Sequence, residues 1–128
     1  MKVLLDTHTF IWWDSAPDKL SAQTLALCQD PTNKLIVSVV SLWEMQIKSQ
    51  LGKLALKLPL PEIIESQQKT NNVVVLDITL AHILALDGLP TPHKDPFDRL
   101  LVAQAKIEEA VLVSSDKIFE QYPVKLFW

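Results

Sequence analysis

The sequence contains a single cysteine, Cys28, and only two glycines, Gly52 and Gly88. One thiol cannot form an internal disulfide or supply a thiolate zinc site, so redox chemistry is not expected and a reducing compartment is favoured. The scarcity of glycine excludes the loops that cradle phosphates with several glycines in a short span, so P-loop and dinucleotide-binding functions are excluded.

Long apolar runs and a dominant charge are also missing. No uninterrupted apolar run exceeds four residues, whereas a membrane helix needs about 20. The N-terminus enters a strand-like segment at Lys2 without the apolar region of a secretory leader, so a cytoplasmic protein is expected. The net charge is −3, so any binding of nucleic acid has to be local. The length of 128 residues predicts one domain over 1–128.

Short apolar segments alternate with helical patterns along the chain. No helix is assigned to the aromatic cluster at 10–13, which a turn over 14–18 follows. Short strands that are apolar throughout, separated by helices, predict an α/β fold in which helices bury both faces of a parallel sheet. The predicted strands cover 2–6, 35–38, 73–76, 110–113 and 124–128, and the predicted helices cover 22–29, 41–51, 61–69, 79–88 and 97–107.

Four carboxylates occupy positions at the ends of predicted strands or the starts of predicted helices, where an α/β fold binds its ligands. Asp6 ends the first strand, Glu44 begins the helix after the second, Asp98 begins the helix after a proline-rich loop, and Asp116 follows the fourth strand. Ligands of open parallel sheets bind beyond the carboxyl ends of the strands, so these four side chains are expected to converge on one edge.

The expected partner of these carboxylates is a hard divalent cation. No lysine or arginine adjoins Asp6 or Glu44 in the sequence, and a buried carboxylate is costly unless it is paired or bound to a metal. Mg²⁺ and Mn²⁺ prefer carboxylate and water oxygens. Such a site can hydrolyse a phosphodiester, because the metal activates a water and stabilises the charge on the phosphate.

Each acid also has a purely structural interpretation. Asp6 would satisfy turn amides, Glu44 would be a solvated helix residue, Asp98 would interact with the helix dipole, and Asp116 would cap a following short helix. Asp95 is best explained as the N-cap of the helix that Asp98 opens, so Asp98 is the preferred ligand.

The histidines and tryptophans give weaker signals. His8, His82 and His93 share no metal-ligand spacing and are expected to be hydrogen-bonded residues of loops or helices. Trp12 and Trp13 have the chemistry to stack on RNA bases, but packing in the core or at an interface is favoured.

Four segments in order resemble PIN-domain proteins of the VapC toxin type. They are LLDTHTFIWW at 4–13, VSVVSLWE at 37–44, HKDPFDRLLVAQA at 93–105 and VSSD at 113–116. The resemblance covers essentially the whole chain. It implies a three-layer α/β/α sandwich around a parallel sheet of about five strands. It also implies an endoribonuclease that depends on Mg²⁺ or Mn²⁺.

By matching position, the resemblance makes Asp6, Glu44 and Asp98 the acidic core and Asp116 the fourth, more variable acid. It further implies an RNA substrate, a homodimer and a cognate antitoxin protein that inhibits the enzyme. Two other functions are compatible with parts of the pattern. A PIN fold that only binds a protein or nucleic acid is the main alternative. An aspartyl-phosphate phosphatase would need a second acid two residues after Asp6, where His8 stands.

Overall fold

The computed structural model describes residues 1–128 and contains one sheet of five parallel strands. The strand order across the sheet is β3-β2-β1-β4-β5. The strands are β1 (Lys2–Leu5), β2 (Lys34–Ser38), β3 (Val74–Leu76), β4 (Val111–Val113) and β5 (Leu126–Phe127). All five predicted strands are therefore confirmed, the last of them shorter than expected.

Six α-helices connect the strands, and side-chain caps begin several of them. Ser21, Thr79 and Asp95 each accept a hydrogen bond from an amide in the first turn of the helix that follows, as their sequence positions predict. The helices are α1 (Thr7–Ser15), α2 (Ala22–Gln29), α3 (Val39–Gln50), α4 (Leu60–Asn71), α5 (Leu80–Ala85) and α6 (Pro96–Ile107).

The sequence does not predict α1, the helix that contains the aromatic cluster at 10–13. Asp6 begins it by accepting a hydrogen bond from the Thr9 amide at 2.9 Å. Of the four aromatic and aliphatic residues at 10–13, only Phe10 is fully buried. A run that is apolar on consecutive positions shows no helical period, so periodicity carries no signal here.

Helices cover both faces of the sheet, which gives the predicted three layers. Side chains alternate between the faces along β1: Leu4 belongs to the core under α5 and α6, whereas Val3 and Leu5 belong to the core under α1, α2 and α4. The central strands are buried on both faces, which explains their continuous apolar sequences. No helix is both long and apolar enough to cross a bilayer.

The strand order reverses beside β1. From β1 the chain moves outward through β2 and β3, and it then returns to place β4 and β5 on the other side. The carboxyl ends of β1 and β4 therefore form the switch point at which open α/β sheets bind their ligands.

Candidate functional site

Asp6 lies at this switch point, directly after β1. It is only 6% exposed, and its own amide donates to the carbonyl of Val113 at the end of β4 at 3.1 Å. Burial raises the pKa of Asp6, and hydrogen bonds from Ser114 and Thr9 only partly oppose this effect. The carboxylate is thus held rigidly at the helix N-terminus without a cation of its own.

Glu44 reaches the same edge from α3. Its side chain accepts a hydrogen bond from the Thr7 hydroxyl at 2.6 Å, and Thr7 is the residue that follows Asp6. Glu44 also forms an ion pair with Lys48, one helical turn later, with 2.7 Å between Nζ and Oε2. The expectation that Glu44 has no neutralising partner is therefore wrong, because the partner is four positions away on the helix surface.

Asp98 lies in the first turn of α6 and is held by a chain of side chains. His93 Nε2 is 3.1 Å from Asp98 Oδ2, the Tyr122 hydroxyl is 2.8 Å from His93 Nδ1, and Arg99 donates to the same hydroxyl at 3.3 Å. A ring that carries its proton on Nε2 satisfies both histidine contacts. Burial, with smaller contributions from the charges of Asp95 and Glu44, raises the pKa of Asp98 to about 6 against the lowering effect of His93.

Asp116 is exposed and accepts a hydrogen bond from the Ile118 amide at 3.0 Å, so it caps the short 3-10 helix Lys117–Gln121. The interpretation of Asp116 as the cap of a following short helix is therefore confirmed. Its link to the site is indirect. The Ser114 hydroxyl oxygen accepts a hydrogen bond from the Asp116 amide at 3.0 Å, and the Ser114 side chain also forms a hydrogen bond with the Asp6 side chain.

The four acids are not gathered as tightly as expected. The charge of Glu44 reaches Asp98, but no group of three or more His, Cys, Asp or Glu side chains is arranged to hold a metal ion. Protein donors engage the carboxylates instead: Thr9 and Ser114 contact Asp6, Thr7 and Lys48 contact Glu44, His93 contacts Asp98, and the Ile118 amide contacts Asp116.

The chemistry of the donor set nevertheless fits a hard cation. Asp6 is buried and Asp98 is partly buried, and the ionised form of both carboxylates is disfavoured. A divalent cation removes that penalty. Hydrogen bonds to the remaining carboxylate oxygens are the usual support of a metal ligand. Glu44 already has a cationic partner, which suits it better to contact through water.

The expectation of a hydrogen-bonded histidine is confirmed for His82 and His93, whereas the side chain of His8 forms no hydrogen bond. His82 is fully buried, completes the cap of α5 with Thr79, and lies 3.0 Å from Glu108. His93 is hydrogen-bonded as described, and His8 is exposed on α1. Trp13 packs against the core, which agrees with the favoured interpretation of that residue.

The largest cavity, of about 630 Å³, does not lie at the acidic edge. It is lined by residues that precede β2 and β3, such as Asn33 and Asn72, and it therefore opens at the amino ends of the strands. Ligand sites of open parallel sheets lie at the opposite ends. The geometry of the strands, rather than the size of the cavity, identifies the candidate site.

Several residues of this edge were not found from the sequence. Lys48 carried a signal, since its spacing from Glu44 is the (i, i+4) spacing of helical ion pairs. Thr7 and Ser114 are polar residues directly after strands, but nothing local indicates their partners. Tyr122 lies 29 positions from His93, and no pattern in the sequence connects them.

Comparisons with known proteins agree with this architecture. The model of the PIN domain family matches residues 3–125. The chain is 30% identical over 117 residues to the protein Ribonuclease VapC22 of Mycobacterium tuberculosis. The aligned region covers 90% of this chain and 87% of that protein.

Solved structures are also similar. VapBC2 from Rickettsia felis, bound to a DNA fragment from its promoter, superposes with a TM-score of 0.75 at 19% identity and covers 99% of this chain and 98% of its own. DNA-bound VapBC from Salmonella typhimurium gives a TM-score of 0.67 at 18% identity, over 99% and 97% of the two chains.

Proposed function

This chain belongs to the PIN-domain family, and we propose that it is an endoribonuclease that uses a divalent metal ion and serves as the toxin of a toxin–antitoxin pair. The observation that supports the proposal most strongly is the position of two perturbed carboxylates at the ligand-binding edge of the sheet. Two carboxylates with raised pKa, the buried Asp6 and the partly buried Asp98, lie at the carboxyl edge of the sheet, with Asp6 at the switch point.

We assign direct contact with Mg²⁺ or Mn²⁺ to Asp6 and Asp98, and contact through water to Glu44 and Asp116. The metal supplies an activated water and stabilises the negative charge that develops on the phosphate. Asp6 is fixed for this role by Thr9 and Ser114, and Asp98 by His93.

Glu44 has the surroundings of a residue that orients water. Lys48 and Thr7 each engage one of its two carboxylate oxygens, which fixes the side chain while leaving the other lone pairs of those oxygens available to accept hydrogen bonds. Asp116 is exposed, and because the Ile118 amide engages only its Oδ1, Oδ2 remains available to accept a hydrogen bond from a water.

An antitoxin is proposed as the partner because similar structures are VapBC assemblies. The relative in Mycobacterium tuberculosis bears the name of a ribonuclease, which supports RNA as the substrate. Phosphate and metal contacts carry no base information, so the proposal names RNA as a class and no particular sequence.

The test is RNA cleavage by the purified protein after removal of any bound antitoxin. We expect cleavage in Mg²⁺ or Mn²⁺, its loss in EDTA, and its return when the metal is restored in excess. Asp98→Asn in the same buffer controls for a contaminating ribonuclease and is expected to be inactive.

The alternative function, a PIN fold that only binds, makes the opposite prediction. A protein that is folded, free of antitoxin and inactive on a mixed RNA pool in both metals would support the binding module. Cleavage that continues unchanged in EDTA would refute metal dependence but would leave the ribonuclease activity standing.

A further inference from the structure

A small aromatic cavity adjoins the carboxylates and has no role in the proposed mechanism. Its walls include Trp43 and Phe97, whose rings meet edge to face with 5.2 Å between centroids and 72° between planes. The cavity holds about 280 Å³ and is floored by Leu86 and Leu100. Trp43 remains 57% exposed, although it is a large apolar side chain.

Each of the two aromatic residues is adjacent in the sequence to one of the candidate carboxylates. Trp43 immediately precedes Glu44 on α3, and Phe97 immediately precedes Asp98 on α6. Consecutive Cα atoms are about 3.8 Å apart, so the segments that present the carboxylates also present the aromatic walls. The carboxylates do not line the cavity, and successive helical side chains point about 100° apart. The cavity therefore lies on a neighbouring face of the contact between α3 and α6 where Trp43 meets Phe97.

Of the three other lining residues, two are cations, Lys94 and Arg99, and the third is Pro96. Lys94 is exposed and forms no ion pair, and Arg99 donates to two neutral acceptors, the Pro90 carbonyl at 2.7 Å and the Tyr122 hydroxyl at 3.3 Å. Two cations without carboxylate partners are unusual at an edge of the fold where acids predominate. They complement a polyanion that would otherwise be repelled by Asp95 and Glu44.

We propose that the Trp43–Phe97 cavity receives one nucleobase of single-stranded RNA, next to the phosphate addressed by the carboxylates, while Lys94 and Arg99 contact the RNA backbone. Aromatic stacking combined with a cationic rim is the general way in which proteins hold single strands. A base has to be unstacked to enter, so duplex RNA is not bound here. The inference deepens the proposed function and rests on it.

The same cavity would suit an apolar side chain of a protein, but its composition favours RNA. Protein interfaces bury roughly 800 Å² per partner and are depleted of lysine at their centre. Here the apolar surface is one small recess, and Lys94 and Arg99 belong to its lining.

The experiment measures RNA binding in an Asp6→Asn background, which prevents cleavage. The probe is a short fluorescein-labelled single-stranded oligoribonucleotide of mixed sequence, followed by anisotropy. Trp43→Ala is expected to raise the Kd about 5- to 150-fold, which corresponds to the loss of one stacked base, and Trp43→Phe is expected to restore most of the affinity. Leu51→Ala removes a similarly exposed apolar side chain at the opposite, C-terminal end of α3, away from the cavity, and is expected to have no effect.

Two further measurements separate stacking from other causes. On an oligomer with abasic sites throughout, Trp43→Ala and its parent are expected to bind equally. Lys94→Ala is expected to reduce the dependence of binding on salt, by about one unit in the slope of log K against log salt, whereas Trp43→Ala leaves that slope unchanged.

Three results would overturn the inference. The first is an unchanged Kd in Trp43→Ala. The second is an equal loss of binding on the abasic oligomer. The third is conversion of a dimer to a monomer by Trp43→Ala in light scattering, which would make the cavity a protein interface. If the unmutated protein cleaves RNA, these results refute the cavity alone; if the protein neither binds nor cleaves RNA, the proposed function fails as well.

Discussion

Replacing Asp6 with asparagine is expected to abolish RNA cleavage while raising the melting temperature of the metal-free protein. Stabilisation of the transition state by a metal is worth several kcal/mol, and each 1.4 kcal/mol or so is a factor of ten, so kcat/KM should fall at least about a thousandfold. Stability should rise because burial disfavours the ionised form of Asp6, whereas asparagine is neutral and caps a helix equally well. Cleavage assays and thermal melts in EDTA measure the two effects.

Asp18→Asn is the matched control for this substitution. It removes the same charge from an exposed residue in the turn Pro17–Lys19, and both activity and melting temperature should stay as they are. An Asp6→Asn protein that retains cleavage, or that melts at a lower temperature than its parent, would contradict the role given to Asp6.

The second large effect is a dependence of stability on metal and pH together. The pKa of Asp98 is raised from 3.8 to about 6, so between these pH values the folded protein binds a proton that the unfolded chain releases. Stability of the metal-free protein should therefore fall as pH rises through this window. The fall is of the order of 2 kcal/mol after allowance for the partial exposure of Asp98.

Mg²⁺ should reverse this loss, because it binds the ionised carboxylates of the folded state. At a concentration of about 100 times Kd the ion adds about 2.7 kcal/mol, or roughly 10 °C in a domain of this size. The increase should be large at pH 7.5 and small at pH 4.5, where the proton competes. Melting curves in Mg²⁺ and in EDTA at both pH values measure this difference. In Asp98→Asn, the increase caused by Mg²⁺ should be similar at the two pH values.

An equal melting temperature with and without Mg²⁺ at pH 7.5, in protein that cleaves RNA, would argue against resident carboxylate ligands. A larger metal effect at pH 4.5 than at pH 7.5 would argue against Asp98 in particular, since protonation removes its capacity to bind a cation.

The elements whose signals are local could be predicted from the sequence. Ser21, Thr79 and Asp95 each mark a helix start because the side chain bonds to an amide two or three residues later, which depends on little else. The strands follow from short apolar runs that are buried on both faces. By contrast, α1 has no apolar period, and its start depends on Asp6, which had already been interpreted as a functional residue.

The site was predicted less completely, for a related reason. The parallel sheet predicts that residues after β1 and β4 lie at one edge, and Asp6 and Ser114 do so, whereas the shared site of four acids remains a prediction. The partners of the acids could not be predicted, because contacts such as His93 with Tyr122 and Thr7 with Glu44 join segments far apart in the chain. Lys48 is the exception, because its (i, i+4) spacing from Glu44 on a helix predicts an ion pair, although the two residues are not adjacent in the sequence.

The most direct test of the account is to locate Mn²⁺ by anomalous diffraction in crystals of the active protein. We expect a peak between the carboxylates of Asp6 and Asp98, with a Glu44 oxygen one water away, and no such peak in crystals of Asp6→Asn. A manganese ion bound elsewhere, with that edge empty in protein whose cleavage requires the metal, would contradict it.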